Sequence, residues 1–248
     1  MQLALSTWQD VETYLNTSKG IIIPIGSMEQ HGPTGLLGTD SICPEVIAKR
    51  MGDATGALIG PTFNVGCAQH HLGFPGSMTL KPSTMIAAIC DWTSSLARHG
   101  FNKIYWLNGH GGNIAPITTA FAEYYAQRSL EPVPARQPEM TLKLRNWWEF
   151  PEVLEAASKM HPVGEGMHAT PSEVAVTYAA YPEQVRDMVL EPKLAPINNF
   201  TDAYNYRENF PDGRIGSDPT QATIENGEIL ITITADSLAS DFQRFVEQ

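Results

Sequence analysis

Residues 27–40 read Ser-Met-Glu-Gln-His-Gly-Pro-Thr-Gly-Leu-Leu-Gly-Thr-Asp. Glu29 and His31 are one residue apart, so an extended backbone sends both side chains to one side. A turn at Gly32-Pro33 would then bring Asp40 back toward them. Two carboxylates and an imidazole in one place suit Zn²⁺, Mn²⁺ or Fe²⁺, which accept mixed nitrogen and oxygen donors. The same residues also have a plain structural reading, in which Glu29 and Asp40 cap turns or helices and His31 is a hydrogen-bonded loop histidine. A second segment, Asn108-Gly109-His110-Gly111-Gly112-Asn113, sets His110 among small residues that leave room for a ligand. It has neither G-x-G-x-x-G nor the Lys-Ser/Thr ending of a phosphate loop, which makes it a weak nucleotide site. A third segment, Gly164 to Glu173, carries His168 and Glu173, each able to serve as base, acid or ligand. A Glu in a first helical turn is also simply favourable to the helix dipole. His70 and His71 are adjacent, so their side chains diverge; as a ligand pair they are poor, and one of them would line the pocket.

For these segments to meet, the elements before them must point the same way. Gly20 to Gly26 (GIIIPIG) is a short apolar run ended by Gly, which predicts a strand buried on both faces. Asp40 is read as the N-cap of a helix through Arg50, and Ala57 to Phe63 as a second strand. Pro82 to His99 predicts an amphipathic helix closed by Gly100. Lys103 to Leu107 is the third strand and runs into the His110 loop and a helix to about Arg128; Met140 to Leu144 is a fourth. Glu173 starts a helix through Tyr181, and a last one spans about Thr220 to Phe245, although its β-branched run Ile229 to Thr234 argues against continuity. Strands alternating with helices indicate an α/β fold with a mainly parallel sheet, whose carboxyl edge is where such sheets place ligands. The Pro-rich piece Glu131 to Pro138 could be a linker, but no composition shift follows it, so residues 1–248 are read as a single domain. Trp147, Trp148 and Phe150 read as core or oligomer contact rather than a lid.

Composition removes other functions. The chain has 16 Lys and Arg against 27 Asp and Glu, a formal charge of −11, and its basic residues are scattered, which argues against nucleic-acid binding. No apolar run approaches the ~20 residues of a membrane span, and the first residues have no charged n-region, so the expectation is a cytoplasmic protein. Three widely spaced cysteines, Cys43, Cys67 and Cys90, offer neither a disulfide framework nor a thiolate metal site.

Taken together, Glu29-Gln30-His31-Gly32-Pro33, Gly38-Thr39-Asp40, Phe74-Pro75-Gly76, the His110 loop and His168-Ala169 before Glu173 resemble the creatininase (creatinine amidohydrolase) family. Gly213 to Thr220 is similar to that family's C-terminal G-x-x-G-D-P segment with one residue inserted. The resemblance implies a three-layer αβα sandwich, usually a homohexamer, with two divalent metal ions per chain (Zn, Mn or Fe). It implies that Asp40 bridges the ions, that Glu29 and His110 complete one site, and that His31 binds the other. Creatininases proper are similar here but carry an acidic ligand two residues after the loop histidine, where this chain has Gly112. Glu173 is inferred to replace it. Thr34, Thr170 and Val174 stand where many members have His, Gly and Thr. The implied activity is hydrolysis of a non-peptide, cyclic C–N bond in a small-molecule amide, with His168 protonating the departing nitrogen. The alternatives are a formamide hydrolase or small-peptide hydrolase of the same family, and a metal- or ligand-binding scaffold without turnover.

Overall fold

The computed structural model describes residues 1–131 and 139–248. Three strands, β1 (Gly20–Ile25), β2 (Lys103–Asn108) and β3 (Thr141–Asn146), form a parallel sheet in the order β1-β2-β3. Their register sets Ile22 beside Tyr105 and Tyr105 beside Lys143. Side chains alternate between the two faces of a strand, and here both faces are covered. Ile21, Ile23, Ile25, Ile104 and Trp106 pack with helices α1 (Trp8–Leu15), α3 (Pro82–Arg98) and α4 (Ile114–Leu130). Ile22, Tyr105 and Leu107 face α2 (Thr39–Thr55), α5 (Pro151–Met160), α6 (Pro171–Ala180) and α8 (Ile224–Glu247), with Trp147 and Phe150 in the same core. The result is an α/β fold in three αβα layers. A short helix, α7 (Ala203–Asn209), lies outside them and packs through Tyr206 against Phe74 and Phe210. The proposed linker at Glu131 to Pro138 lies, beyond Glu131, outside the described residues.

Three local expectations need correction. Ala57 to Phe63 is not a strand, although it runs parallel to β1 and bridges it at Ile22–Ile59 and Ile25–Phe63. Between those bridges the offset slips by one residue, and Pro24 has no N–H to donate at the intervening ladder position, so a regular ladder cannot form. Asp40 is not an N-cap: Gly38 occupies that position, and Asp40 lies one residue inside α2 with its carboxylate free for other partners. The last helix is continuous from Ile224 to Glu247 despite its β-branched run. Leu230, Ile231 and Thr234 are buried, and tertiary packing outweighs their weaker helix propensity.

Candidate metal centre

Parallel strands bring their carboxyl ends to one edge, and the loops after β1 and β2 meet there. After β1 the chain turns at Gly32 (φ 65°) and returns antiparallel, with Gly35 N–H donating to His31 O and Glu29 N–H to Leu37 O. This turn carries Asp40 back to His31. Asparagines fix the loop after β2: Asn108 Nδ2 donates to Asn146 Oδ1 and to His110 O, while Asn113 Nδ2 donates to Gly26 O. His168 is held through its own backbone, whose carbonyl accepts from Ser217 Oγ at 2.6 Å and from Ile215 N–H. Thr170 caps α6 with Oγ1, and Glu173 answers by accepting Thr170 N–H on Oε1 at 2.6 Å, a reciprocal capping box.

These supports bring Glu29, His31, Asp40, His110, His168 and Glu173 together. His31 Nε2 lies 3.0 Å from Asp40 Oδ1 and 3.9 Å from Glu173 Oε2. His110 Nδ1 lies 3.0 Å from Asp40 Oδ2 and 3.3 Å from Glu29 Oε2. Two sets of ligand atoms, Glu29-Asp40-His110 and His31-Asp40-Glu173, are compact enough to hold an ion each, and they share Asp40; Glu29-His31-His168 forms a third, overlapping set.

Distal nitrogens decide which atoms face the centre. His31 Nδ1 lies 3.1 Å from Glu29 O, and His110 Nε2 lies 3.0 Å from Cys67 O. A ring nitrogen beside a carbonyl must carry the proton, so in each neutral ring the lone pair is on the nitrogen facing the carboxylates. This is the usual outer support of a metal-binding imidazole. Glu29 Oε1 and Oε2 and Asp40 Oδ2 are buried without an aligned hydrogen-bond partner. Such oxygens are costly unless something positively charged answers them, so the donor set fits divalent cations.

Without a cation, protons fill that role. Burial opposes charge on His31, but Asp40 and Glu173 outweigh it and raise its pKa to about 10. Burial is likewise outweighed at His110 by Glu29 and Asp40, giving about 9. Burial also opposes ionisation of Asp40, yet the two imidazoles hold its pKa below the usual carboxylate range. Burial lifts Glu29, and it lifts Glu173 to about 7. For His168, burial and the neighbouring His71 and His31 rings push the pKa well below the usual value, so the ring is neutral. Its Nε2 lies 2.7 Å from Gln30 O and therefore bears the hydrogen, which leaves the Nδ1 lone pair 3.8 Å from Glu29 Oε1.

The structure also corrects the reading of the adjacent histidines. They do not diverge: their ring centroids lie 4.2 Å apart and both meet Tyr206, and His71, the buried one, places Nε2 3.1 Å from Glu29 Oε1. The weak pair hides one inward residue; His70 stacks instead on Phe200. At Gly112 a Cβ would lie 2.4 Å from His110 Nε2 and 2.6 Å from Cys67 O, so a side chain there would pry apart the bond that orients His110.

Comparison with known proteins is consistent with this geometry. The sequence model of the creatininase family, described as creatinine amidohydrolase, matches residues 4–242. The chain is 26% identical over 246 residues to creatinine amidohydrolase of Pseudomonas putida, covering 94% of this chain and 92% of that protein. It is 29% identical over 126 residues to a mycofactocin precursor peptide peptidase of Mycolicibacterium smegmatis, covering 48% of this chain and 51% of that one. The fold matches a solved manganese creatininase with TM-score 0.85 at 22% identity, covering 100% of this chain and 99% of the other.

Proposed function

The chain belongs to the creatininase family, and from that premise we propose that it is a metal-dependent amidohydrolase cleaving a non-peptide C–N bond of a small cyclic amide. The observation that carries this reading is the pair of ligand sets sharing Asp40, each with an imidazole whose far nitrogen is tied to a backbone carbonyl. Glu29 and His110 would hold one divalent ion, His31 and Glu173 the other, with Asp40 between them. The related enzymes make zinc and manganese the first ions to try, and the mixed donors also suit iron. Bound there, the ions would supply Lewis acidity toward a carbonyl oxygen and lower the pKa of water.

This chain's own residues do the proton work. Neutral His168 offers the Nδ1 lone pair, so it takes up the proton of the attacking water at that atom. It then returns the proton to the departing nitrogen. Burial of the site excludes bulk water and strengthens its electrostatics. His168→Ala should keep its metal and lose about 100- to 10,000-fold in turnover; full turnover in that variant would refute the assignment.

The deciding experiment is a substrate screen of the Mn²⁺- and Zn²⁺-loaded protein over creatinine, formylated amines and short peptides. Turnover of creatinine or another cyclic amide supports the main reading. A formamide- or small-peptide-hydrolase reading has one observation in its favour: part of the chain is similar to a peptide peptidase. Metal binding with no turnover on any class would leave a non-catalytic scaffold. We further propose that residues 1–248 form one domain around this one centre and assemble as a homohexamer in the cytoplasm. The buried free cysteines suit a reducing compartment, and exposed apolar residues such as Met167 and Ile197 offer surface for contact between copies. No helix among the described residues is long and apolar enough to cross a membrane. Sizing in solution tests the assembly.

A further inference from the structure

Gln30 lies between two proposed ligands, and its buried amide meets groups on four separate segments. Oε1 accepts Gly32 N–H at 2.8 Å. Nε2 lies 2.9 Å from each of Gly213 O, His71 Nδ1 and His168 Nε2, and 3.4 Å from Tyr206 OH. The backbone settles which end is which: Gly32 N–H can only donate and Gly213 C=O can only accept, so the amide cannot be flipped. Gly213 makes this approach possible, since its φ is 89° and a Cβ there would lie 1.8 Å from Oε1.

An amide nitrogen has two hydrogens. One goes to Gly213 O. His168 Nε2 already carries a hydrogen for the Gln30 main-chain carbonyl at 2.7 Å, so it cannot accept another. Tyr206 OH, which itself donates to Gly213 O, lies farther away at 3.4 Å, so the second amide hydrogen goes to His71 Nδ1 at 2.9 Å and the proton of neutral His71 must sit on Nε2, the atom 3.1 Å from Glu29 Oε1. A lone pair at that position would instead face the carboxylate oxygen and repel it.

We propose that Gln30 is a positioning residue of the centre. By donating to His71 Nδ1 it fixes the His71 Nε2–H tautomer. His71 then presents its N–H hydrogen 3.1 Å from Glu29 Oε1, measured from Nε2, an electrostatic contact short of an aligned hydrogen bond, and leaves Oε2 for the site shared with His110. Gln30 thus orients a ligand through an intervening imidazole, while its main-chain carbonyl fixes the tautomer of His168 on the same side of Glu29. The tautomer claim stands on hydrogen bonding alone; only its consequence for metal affinity rests on the function proposed above.

The test is ¹⁵N–¹H correlation of the histidine rings in the full-length protein, metal-free and zinc-loaded, with zinc affinity measured in parallel. Wild type should show His71 protonated at Nε2 in both forms. Gln30→Glu, which places an acceptor opposite His71 Nδ1, should move that proton to Nδ1. Gln30→Met, which fills the space without donating, should give mixed tautomers. Both variants should bind zinc about 10- to 100-fold more weakly, the usual cost of losing an outer-shell partner. Wild-type His71 protonated at Nδ1 would overturn the proposal whether or not either variant folds. So would a Gln30→Met protein that keeps a pure Nε2–H tautomer and full zinc affinity, because space-filling alone would then explain Gln30. His71 at Nε2–H in a protein that binds no zinc would sink the metal reading and leave the tautomer control intact.

Discussion

Two buried ionic clusters meet at the turn around Gly32, and they are built in opposite ways. Arg214 is fully buried and packs against Gly32. Four of its N–H groups donate, Nε to Asp212 Oδ2, Nη1 to Lys193 O and Ser217 O, and Nη2 to Pro192 O, and Nη2 also pairs with Asp212 Oδ2 at 2.7 Å. Across the turn, Glu29 and Asp40 keep oxygens with no aligned donor, and the imidazoles around them spend their far nitrogens on backbone carbonyls. The first cluster closes on itself. The second is closed only by something added to it, and that contrast separates an ion that holds a loop from ions that hold a ligand.

Substitution should therefore act with opposite sign in the two clusters. Arg214→Met leaves Asp212 and three carbonyls without their partner and should cost about 3–5 kcal/mol in urea unfolding. Glu29→Gln removes a buried charge, so the metal-free protein should be no less stable than wild type, while its metal affinity collapses. If Glu29→Gln unfolded the metal-free protein as readily as Arg214→Met, the distinction would be lost.

A smaller effect should appear with pH. His31 and His110 have folded pKa values of about 10 and 9, raised above the ordinary 6.5, and Glu173 about 7, raised above 4.5. Each binds its proton more tightly when folded. The histidines' contribution to stability is complete below pH 6.5 and lost as pH rises through 9 and 10; that of Glu173 is complete below 4.5 and lost through 7. Urea midpoints of metal-free protein should fall from pH 6.5 to pH 10, and bound metal should flatten the decline, because the cation takes the protons' place. An unchanged midpoint without metal would mean that protons do not hold this cluster. The smallest effect belongs to Thr170→Ala, about 1 kcal/mol from the lost cap. Metal affinity should change little, because Thr170 N–H still holds Glu173; a large loss of affinity would show that the hydroxyl positions the carboxylate.

Much of this was legible in the sequence because it depends on order along the chain. The apolar runs mark β1, β2 and β3, and a parallel sheet brings the segments after its strands to one edge, so Glu29, His31, Asp40 and His110 meet where their positions imply. What was hidden depends on contacts between distant segments. The strand expected at Ala57 to Phe63 fails through a missing N–H on Pro24, in the neighbouring strand. The continuity of α8 comes from the helices it packs on. His71 looked unhelpful because adjacent side chains diverge in an extended chain, but Gln69–His71 is a short helical turn in which the two rings pack together, and only the fold shows which one reaches Glu29. Gln30 carries no charge and matches no ligand pattern, yet its side chain and main-chain carbonyl find partners at positions 32, 71, 168 and 213. Local composition cannot encode such a meeting.

The most direct measurement is anomalous scattering from crystals grown with Mn²⁺. Two peaks per chain on either side of Asp40, one within reach of Glu29 and His110 and one of His31 and Glu173, is the predicted result. A single peak, or none at Asp40, would contradict the binuclear centre.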